Sequence, residues 1–257
     1  MARKNIGTMM GSQTTSTFIG IPAGTLSDVS GGSVVFGAPC ATPYPSVGAY
    51  CKEAPAAIRG AISSYQANID HMDFDLGGPI FPNGVNAIDL GDLDFDESDA
   101  PANRERIRST VSQIVAQGAV PVVIGGDDSI PIPMIEGFAE HGEYFVVQID
   151  AHIDYRDEVG GEKLGLSSTM RRAFEMPHIK GLVQVGQRGI GSARPKDYED
   201  AKSHGVKFVS ARQVASGGIQ QVIDLVPAGV NVIVDLDCDA LDPSIVPGVI
   251  GRAPGGL

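Results

Sequence analysis

Tyr144-Phe-Val-Val-Gln-Ile-Asp-Ala-His-Ile-Asp154 is the stretch on which the reading of this chain turns. Its first half, Tyr144–Ile149, is mostly apolar with aromatic and β-branched side chains and predicts a β-strand. An acidic cluster with one histidine follows at the carboxyl end. The pattern recurs on either side. Ala119-Val-Pro-Val-Val-Ile124 runs into Gly125-Gly-Asp-Asp-Ser129, and Val230-Asn-Val-Ile-Val-Asp-Leu236 runs into Asp237-Cys-Asp-Ala-Leu-Asp-Pro243. Runs at 33–37, 85–90, 181–185 and 206–209 bring the expected strands to seven. Most lack polar alternation, as expected of strands covered on both faces in a parallel sheet.

Helical patterns lie between the strands. Asp99–Gly118 spaces Ile107, Val111, Ile114 and Val115 by three and four, with Pro101 near its start and Gly118 just past its end. Ala54–Gln66, Met134–Glu140, Ser168–Glu175, Lys196–His204 and Ile219–Val226 read the same way less strongly. Strand and helix alternating along the chain predict one α/β domain over residues 31–257, a three-layer αβα arrangement around a doubly wound, mostly parallel sheet. Residues 1–30 are rich in Ser, Thr and Gly and are expected to form an arm or surface loop. The stretch Ile245–Leu257 is turn-rich, so either it packs as a loop or the sheet's final elements are missing.

Composition removes several function classes. The 257 residues carry 19 Lys plus Arg against 31 Asp plus Glu, a formal charge of −12, which argues against nucleic-acid binding. No apolar run approaches the roughly 20 residues that span a bilayer, and the amino terminus lacks an apolar signal core, so a cytoplasmic, membrane-free protein is expected. Cys40, Cys51 and Cys238 give neither an even disulfide framework nor zinc-finger spacing, and reduced thiols are expected. Cys238 stands between two acidic residues and is read as a buried thiol pointing away from them. Nucleotide binding fares poorly, because no Gly-x-Gly-x-x-Gly follows the first strand and no Gly-Lys-Ser/Thr loop is present.

In a parallel sheet, ligands bind beyond the carboxyl ends of the strands, and three acidic clusters at that edge imply a metal site. Asp150, His152 and Asp154 alternate, so in extended backbone they share a face, and Asp237 and Asp239 repeat the spacing. Oxygen-rich ligands with one imidazole suit manganese, magnesium or another borderline divalent ion better than zinc bound by thiolates. Without cations, such a cluster would repel itself and take up protons.

These residues carry a resemblance to the ureohydrolases, the arginases, agmatinases and their relatives. Asp150-Ala-His-Ile-Asp154 is similar to that family's Asp-Ala-His-x-Asp, and Asp237-Cys-Asp-Ala-Leu-Asp-Pro243 to its Asp-x-Asp-x-x-Asp-Pro, in the same order. Ala54-Pro-Ala-Ala-Ile-Arg59, Gly125-Gly-Asp-Asp-Ser129 and Val185-Gly-Gln-Arg-Gly189 agree more weakly, and the resemblance runs from about Val34 to Leu257. It implies an arginase-like fold and two divalent ions, manganese or nickel, held by Asp150, His152, Asp154, Asp237 and Asp239. Asp235 and Asp242 are then neighbours of the ligands. It further implies hydrolysis of a small cationic guanidino compound to urea and an amine, with Asp154 accepting the proton of the attacking water. A trimer or hexamer is the expected assembly.

The chain departs from the family pattern at three places. Asp128 stands where most members carry a metal-binding His and is expected to ligate in its stead. Leu166 aligns with the His of a Ser-His-Gly-Thr stretch that shuttles protons in many relatives. The family's helix, eighth strand and last helix beyond Gly-Gly-Leu257 have no counterpart here, so the domain is expected to be incomplete at its carboxyl end. The two lost histidines leave an alternative, a catalytically weak or silent subunit paired with an active paralogous chain. Substrate contacts are not assigned by the sequence, although Tyr44, Ser46, Tyr50, Ser167, Ser168 and Met170 lie in the relevant loops.

Overall fold

A computed structural model of the chain describes residues 16–82 and 86–257. Most of the expected amino-terminal arm, residues 1–15, lies outside the described residues, as does Val85 of the second expected strand. Residues 18–20 and 26–28 form two short 3-10 turns. The chain divides between Ile130 and Pro131 into two compact units.

In the first unit, β1 (Ser33–Ala38) is flanked by β2 (Ala87–Asp92) and β3 (Val120–Gly125), both parallel to it. Val34, Val35, Phe36 and Ala38 of β1 are all buried, as a central parallel strand requires. Helix α1 (Ala54–Ile62) continues into a 3-10 turn at Ser63–Asn68, and α2 spans Ala100–Ala116. The α2 boundaries follow local chemistry. Asp99 caps it by accepting from Ala102 N at 3.0 Å, and Gly118 beyond its end takes a positive φ of 71°. Its buried stripe is Ile107, Val111 and Ile114. Arg59 on α1 is buried against Asp89, its Nε donating to Oδ2 at 2.8 Å, and it also bonds Asp92.

In the second unit, the strand order is β6-β5-β4-β7, all parallel, with β4 at Tyr144–Ile149, β5 at Ile179–Val185, β6 at Lys207–Val209 and β7 at Asn231–Leu236. The helices are α3 (Pro131–Glu136), α4 (Thr169–Glu175), α5 (Pro195–Ser203), α6 (Ala211–Gly217) and α7 (Gln220–Ile223). Phe145, Val183, Val185, Val209 and Val222 form a core cluster, with Val214 and Val226 packed on it. Among the described residues, no helix is long and apolar enough to cross a membrane.

All seven expected strands form, within two residues of their expected ends. Two expectations need correction. Strand β7 is not covered on both faces: Ile233 and Asp235 are buried, whereas Val232, Val234 and Leu236 are exposed. It lies at the end of its sheet, and the apolar cover from Val214, Val222 and Val226 is spent on β4, β5 and β6. The expected helix at 219–226 shrinks to four residues, and α6 precedes it where none was expected. Ser210 and Gln213 start α6 with a reciprocal capping box, a local signal independent of apolar periodicity.

Candidate metal centre

β4 and β7 are adjacent and in register, with Ile149 opposite Leu236, so their carboxyl ends deliver two acidic segments side by side. Neither segment continues as extended backbone. Asp150 Oδ1 accepts from His152 N at 2.6 Å, which bends the chain, and Asp154 sits in the left-handed region at φ 40°. Asp237 Oδ1 accepts from Asp239 N at 2.8 Å and opens a 3-10 turn over Cys238–Ala240. The acidic side chains therefore converge because each first aspartate bonds the amide two residues on, an Asx turn, rather than through strand alternation. The same turn corrects the expectation for Cys238, whose residue is exposed. No disulfide joins Cys40, Cys51 or Cys238, as expected.

Five of the six expected ligands belong to this unit. His152 Nδ1 lies 2.9 Å from Asp239 Oδ2 and 3.5 Å from Asp150 Oδ1. Asp150, His152 and Asp239 each offer a ligand atom within 4.8 Å of the others. Asp154 joins them through Gln148, whose Nε2 donates to Asp150 Oδ2 at 2.7 Å and to Asp154 Oδ2 at 3.4 Å. Asp237, partly buried, joins through the turn that it caps. Asp128 belongs to the first unit, partly buried in the turn after β3 beside the buried Asp127 and Ser129.

Electrostatics set this group apart. Burial, with the charge of Asp150, pushes the Asp154 carboxyl well above its ordinary value. Burial likewise raises Asp150, and raises Asp237 to about 7 and Asp235 to about 8. Burial acts upward on Asp239 as well, but its bond to His152 prevails and holds it below the usual range. His152 rises to about 10 through hydrogen bonds to Asp150 and Asp239. Among the described residues, no Lys or Arg forms an ion pair with Asp150, Asp154, Asp237 or Asp239, and the buried Asp235 Oδ2 has no hydrogen-bond partner. A cluster of carboxylates with one imidazole and no Lys or Arg partner among the described residues is a donor set that fits divalent metal ions.

The loops are locked from behind by residues that the sequence reading did not single out for this role. Arg188, just past β5, donates to five carbonyls: Asp239 at 2.7 Å, Ala240 at 3.0 Å, Leu241 at 3.1 Å, Gly186 at 3.2 Å and Ala253 at 2.8 Å. Gln187 Nε2 donates to the carbonyls of Asp150 and His152 at 3.3 and 3.2 Å. The turn-rich tail packs as a loop against this frame. Asp242 accepts from the amides of Gly255 and Gly256 at 2.7 and 3.2 Å, which with the Ser244 contacts holds its carboxyl far below the usual range. Asp242 thus pins the tail, as a neighbour of the ligands. Gly251 approaches so closely that a Cβ there would stand 2.5 Å from His152 Cε1. Between β4 and α4, Ser168 is buried and Leu166 and Ser167 partly so, and Met170 in the first turn of α4 is buried.

Comparison with known proteins gives this arrangement relatives. Residues 32–257 match the model of the Arginase family. Formimidoylglutamase of Halalkalibacterium halodurans is 33% identical over 216 residues, 79% of this chain and 65% of its own length. Proclavaminate amidinohydrolase of Streptomyces clavuligerus is 31% identical over 203 residues, 77% of this chain and 64% of its own. The solved structure of that amidinohydrolase superposes with a TM-score of 0.77 at 27% identity, covering 96% of this chain and 80% of the other. Formimidoylglutamase from Bacillus subtilis gives 0.75 at 25% identity, covering 91% and 76%. The chain spans about 65% of the length of the first two curated relatives.

Proposed function

The chain belongs to the arginase family, and from that premise we propose that it is a metal-dependent hydrolase that cleaves a guanidino carbon–nitrogen bond, releasing urea and an amine. One observation carries the reading: Asp150, His152 and Asp239 gather ligand atoms within 4.8 Å at the carboxyl edge of a parallel sheet, with Asp154 and Asp237 beside them. Agmatinase of Gallus gallus and guanidinobutyrase of Pseudomonas aeruginosa, 32% and 28% identical to this chain, are relatives whose names fit such substrates.

Two divalent ions, manganese or nickel, held by Asp150, His152, Asp154, Asp237 and Asp239, would supply an acidified water and a Lewis acid for the substrate. The protein's own part is positional and protonic. Asp154, held at the basin by Gln148 beside Asp150, is placed to take the proton of the attacking water and hand it to a departing amine. Leu166 offers no proton, so with the shuttle histidine absent that transfer falls to Asp154 or to solvent. The net charge of −12 favours a cationic guanidinium over an anionic substrate through long-range attraction.

The test is urea release by protein reconstituted with manganese(II) or nickel(II), offered arginine, agmatine, guanidinobutyrate, guanidine and a biguanide. Metal-dependent urea from at least one compound is expected. Protein that binds the ions yet yields no urea from any of them would overturn the reading.

A further inference from the structure

Two glutamines stand among the apolar residues of neighbouring strands, and both are fully buried: Gln148 in β4 and Gln184 in β5. They face each other in register, and Asp235 of β7 faces Gln148 from the other side, so a row of three buried polar side chains crosses the middle of the sheet. Buried amides are costly unless they are bonded, so their placement asks for a partner. The partners lead straight to the acidic basin. Gln184 Nε2 donates to Ile153 O at 2.7 Å and also to Gln148 Oε1. With its carbonyl occupied, Gln148 turns its amide nitrogen to Asp150 Oδ2 at 2.7 Å and to Asp154 Oδ2 at 3.4 Å. The opposite amide orientation would set a carbonyl oxygen against two carboxylates, so the network fixes the direction of every bond.

We propose that Gln148, held by Gln184, is a positioning residue of the metal centre, fixing the rotation of Asp150 and Asp154 by engaging one oxygen of each. The inference rests on the metal-dependent reading above. A neutral amide suits this task where Lys or Arg would not: it restrains both carboxylates without adding a positive charge that competes with the cation. Gln184 extends the restraint to the backbone of Ile153, between His152 and Asp154. The Gln148–Gln184 pair beneath the basin thus ties the ligand-bearing segment after β4 to the neighbouring strand β5.

The test is manganese(II) affinity by calorimetry and the visible d–d spectrum of the cobalt(II)-loaded protein, for the wild type, Gln148→Leu and Gln184→Leu, with thermal unfolding in chelator alongside. Gln148→Leu keeps the volume and removes the donor. It is expected to weaken manganese about 10- to 100-fold and to change the cobalt spectrum. Gln184→Leu leaves Gln148 in place but unheld, and is expected to do the same to a smaller extent. A purely structural role would lower the unfolding temperature in chelator and leave affinity and spectrum as in the wild type, which overturns the proposal. If Gln148→Leu does not fold, Gln184→Leu decides by the same two readouts. A wild-type protein that binds neither ion would instead overturn the metal-dependent reading itself.

Discussion

Gly251→Ala places a single methyl group against the imidazole of the centre. The added Cβ would lie 2.5 Å from His152 Cε1, 3.0 Å from Nε2 and 3.3 Å from Asp239 Oδ2. Non-bonded carbon atoms rest at about 3.5–4.0 Å, so either the ring or the tail must retreat by about 1 Å. The tail is held by Arg188 through Ala253 O and by Asp242 through the amides of Gly255 and Gly256. The ring is held by a 2.9 Å contact to Asp239 and a longer one of 3.5 Å to Asp150, and is 26% exposed, so the ring gives way. A shift of that size takes Nδ1 out of hydrogen-bonding range and moves a ligand off its place. A displacement of about 1 Å at a reacting centre costs on the order of 100-fold in rate. The assay is manganese affinity and urea release, with unfolding in chelator as the control for folding. Loading and turnover equal to the wild type in Gly251→Ala would refute the placement of the tail over His152.

Other consequences follow from the same geometry. Asp235 and Asp237, raised to about 8 and 7, hold protons in the fold that the unfolded chain has released above pH 4, and His152, raised to about 10, behaves alike above pH 6.5. Their contribution to stability is present at low pH and is lost as pH rises through those values, so chelator-treated protein should melt at a lower temperature at pH 8.5 than at pH 5.5, and added manganese should stabilise more at the higher pH. A melting temperature that rises over this range in chelator would contradict the protonated basin. Arg188→Met should destabilise by about 2–4 kcal/mol in denaturant titration, because the carbonyls of Asp239 and Leu241 lose this donor and that of Ala240 is left with Leu257 N; a cost below about 0.5 kcal/mol would show that the loop holds itself. Towards a thiol reagent at pH 8, exposed Cys238 should react quickly and Cys40 slowly, since burial and the neighbouring Asp127 push the Cys40 thiol far above its ordinary value. Mass mapping after brief labelling distinguishes the two, and equal rates would contradict the assigned burial.

Strands were legible in the sequence because short apolar, β-branched runs bounded by turn residues leave little choice of backbone. Helix α2 was legible for a different reason, since its cap Asp99, Pro101 and Gly118 mark both ends of an apolar stripe. Helix α6 was not, because it starts on the Ser210–Gln213 capping box and buries only Ala211. At the site, residue types and spacing identified Asp150, His152, Asp154, Asp237 and Asp239, while the strand-alternation argument gave the wrong backbone. Asx turns do the gathering, and the same turn exposes Cys238. The supporting residues were harder to read. Gln148 and Gln184 look like ordinary strand positions until register sets them side by side. Gly251 and Arg188 act through contacts with carbonyls and a ring far along the chain, which no local pattern encodes.

On the proposed function, the acidic edge of the second sheet holds metal ions used for hydrolysis. This is tested most directly by elemental analysis of the purified chain after reconstitution with manganese(II) or nickel(II), with Asp150→Asn prepared in parallel. About two ions per wild-type chain are expected, the number a binuclear hydrolytic centre requires, with a deficit of at least one in Asp150→Asn and urea release that follows ion content. A wild-type chain that stays without bound ions at every metal concentration, or an Asp150→Asn chain that loads and turns over as well as the wild type, would contradict it.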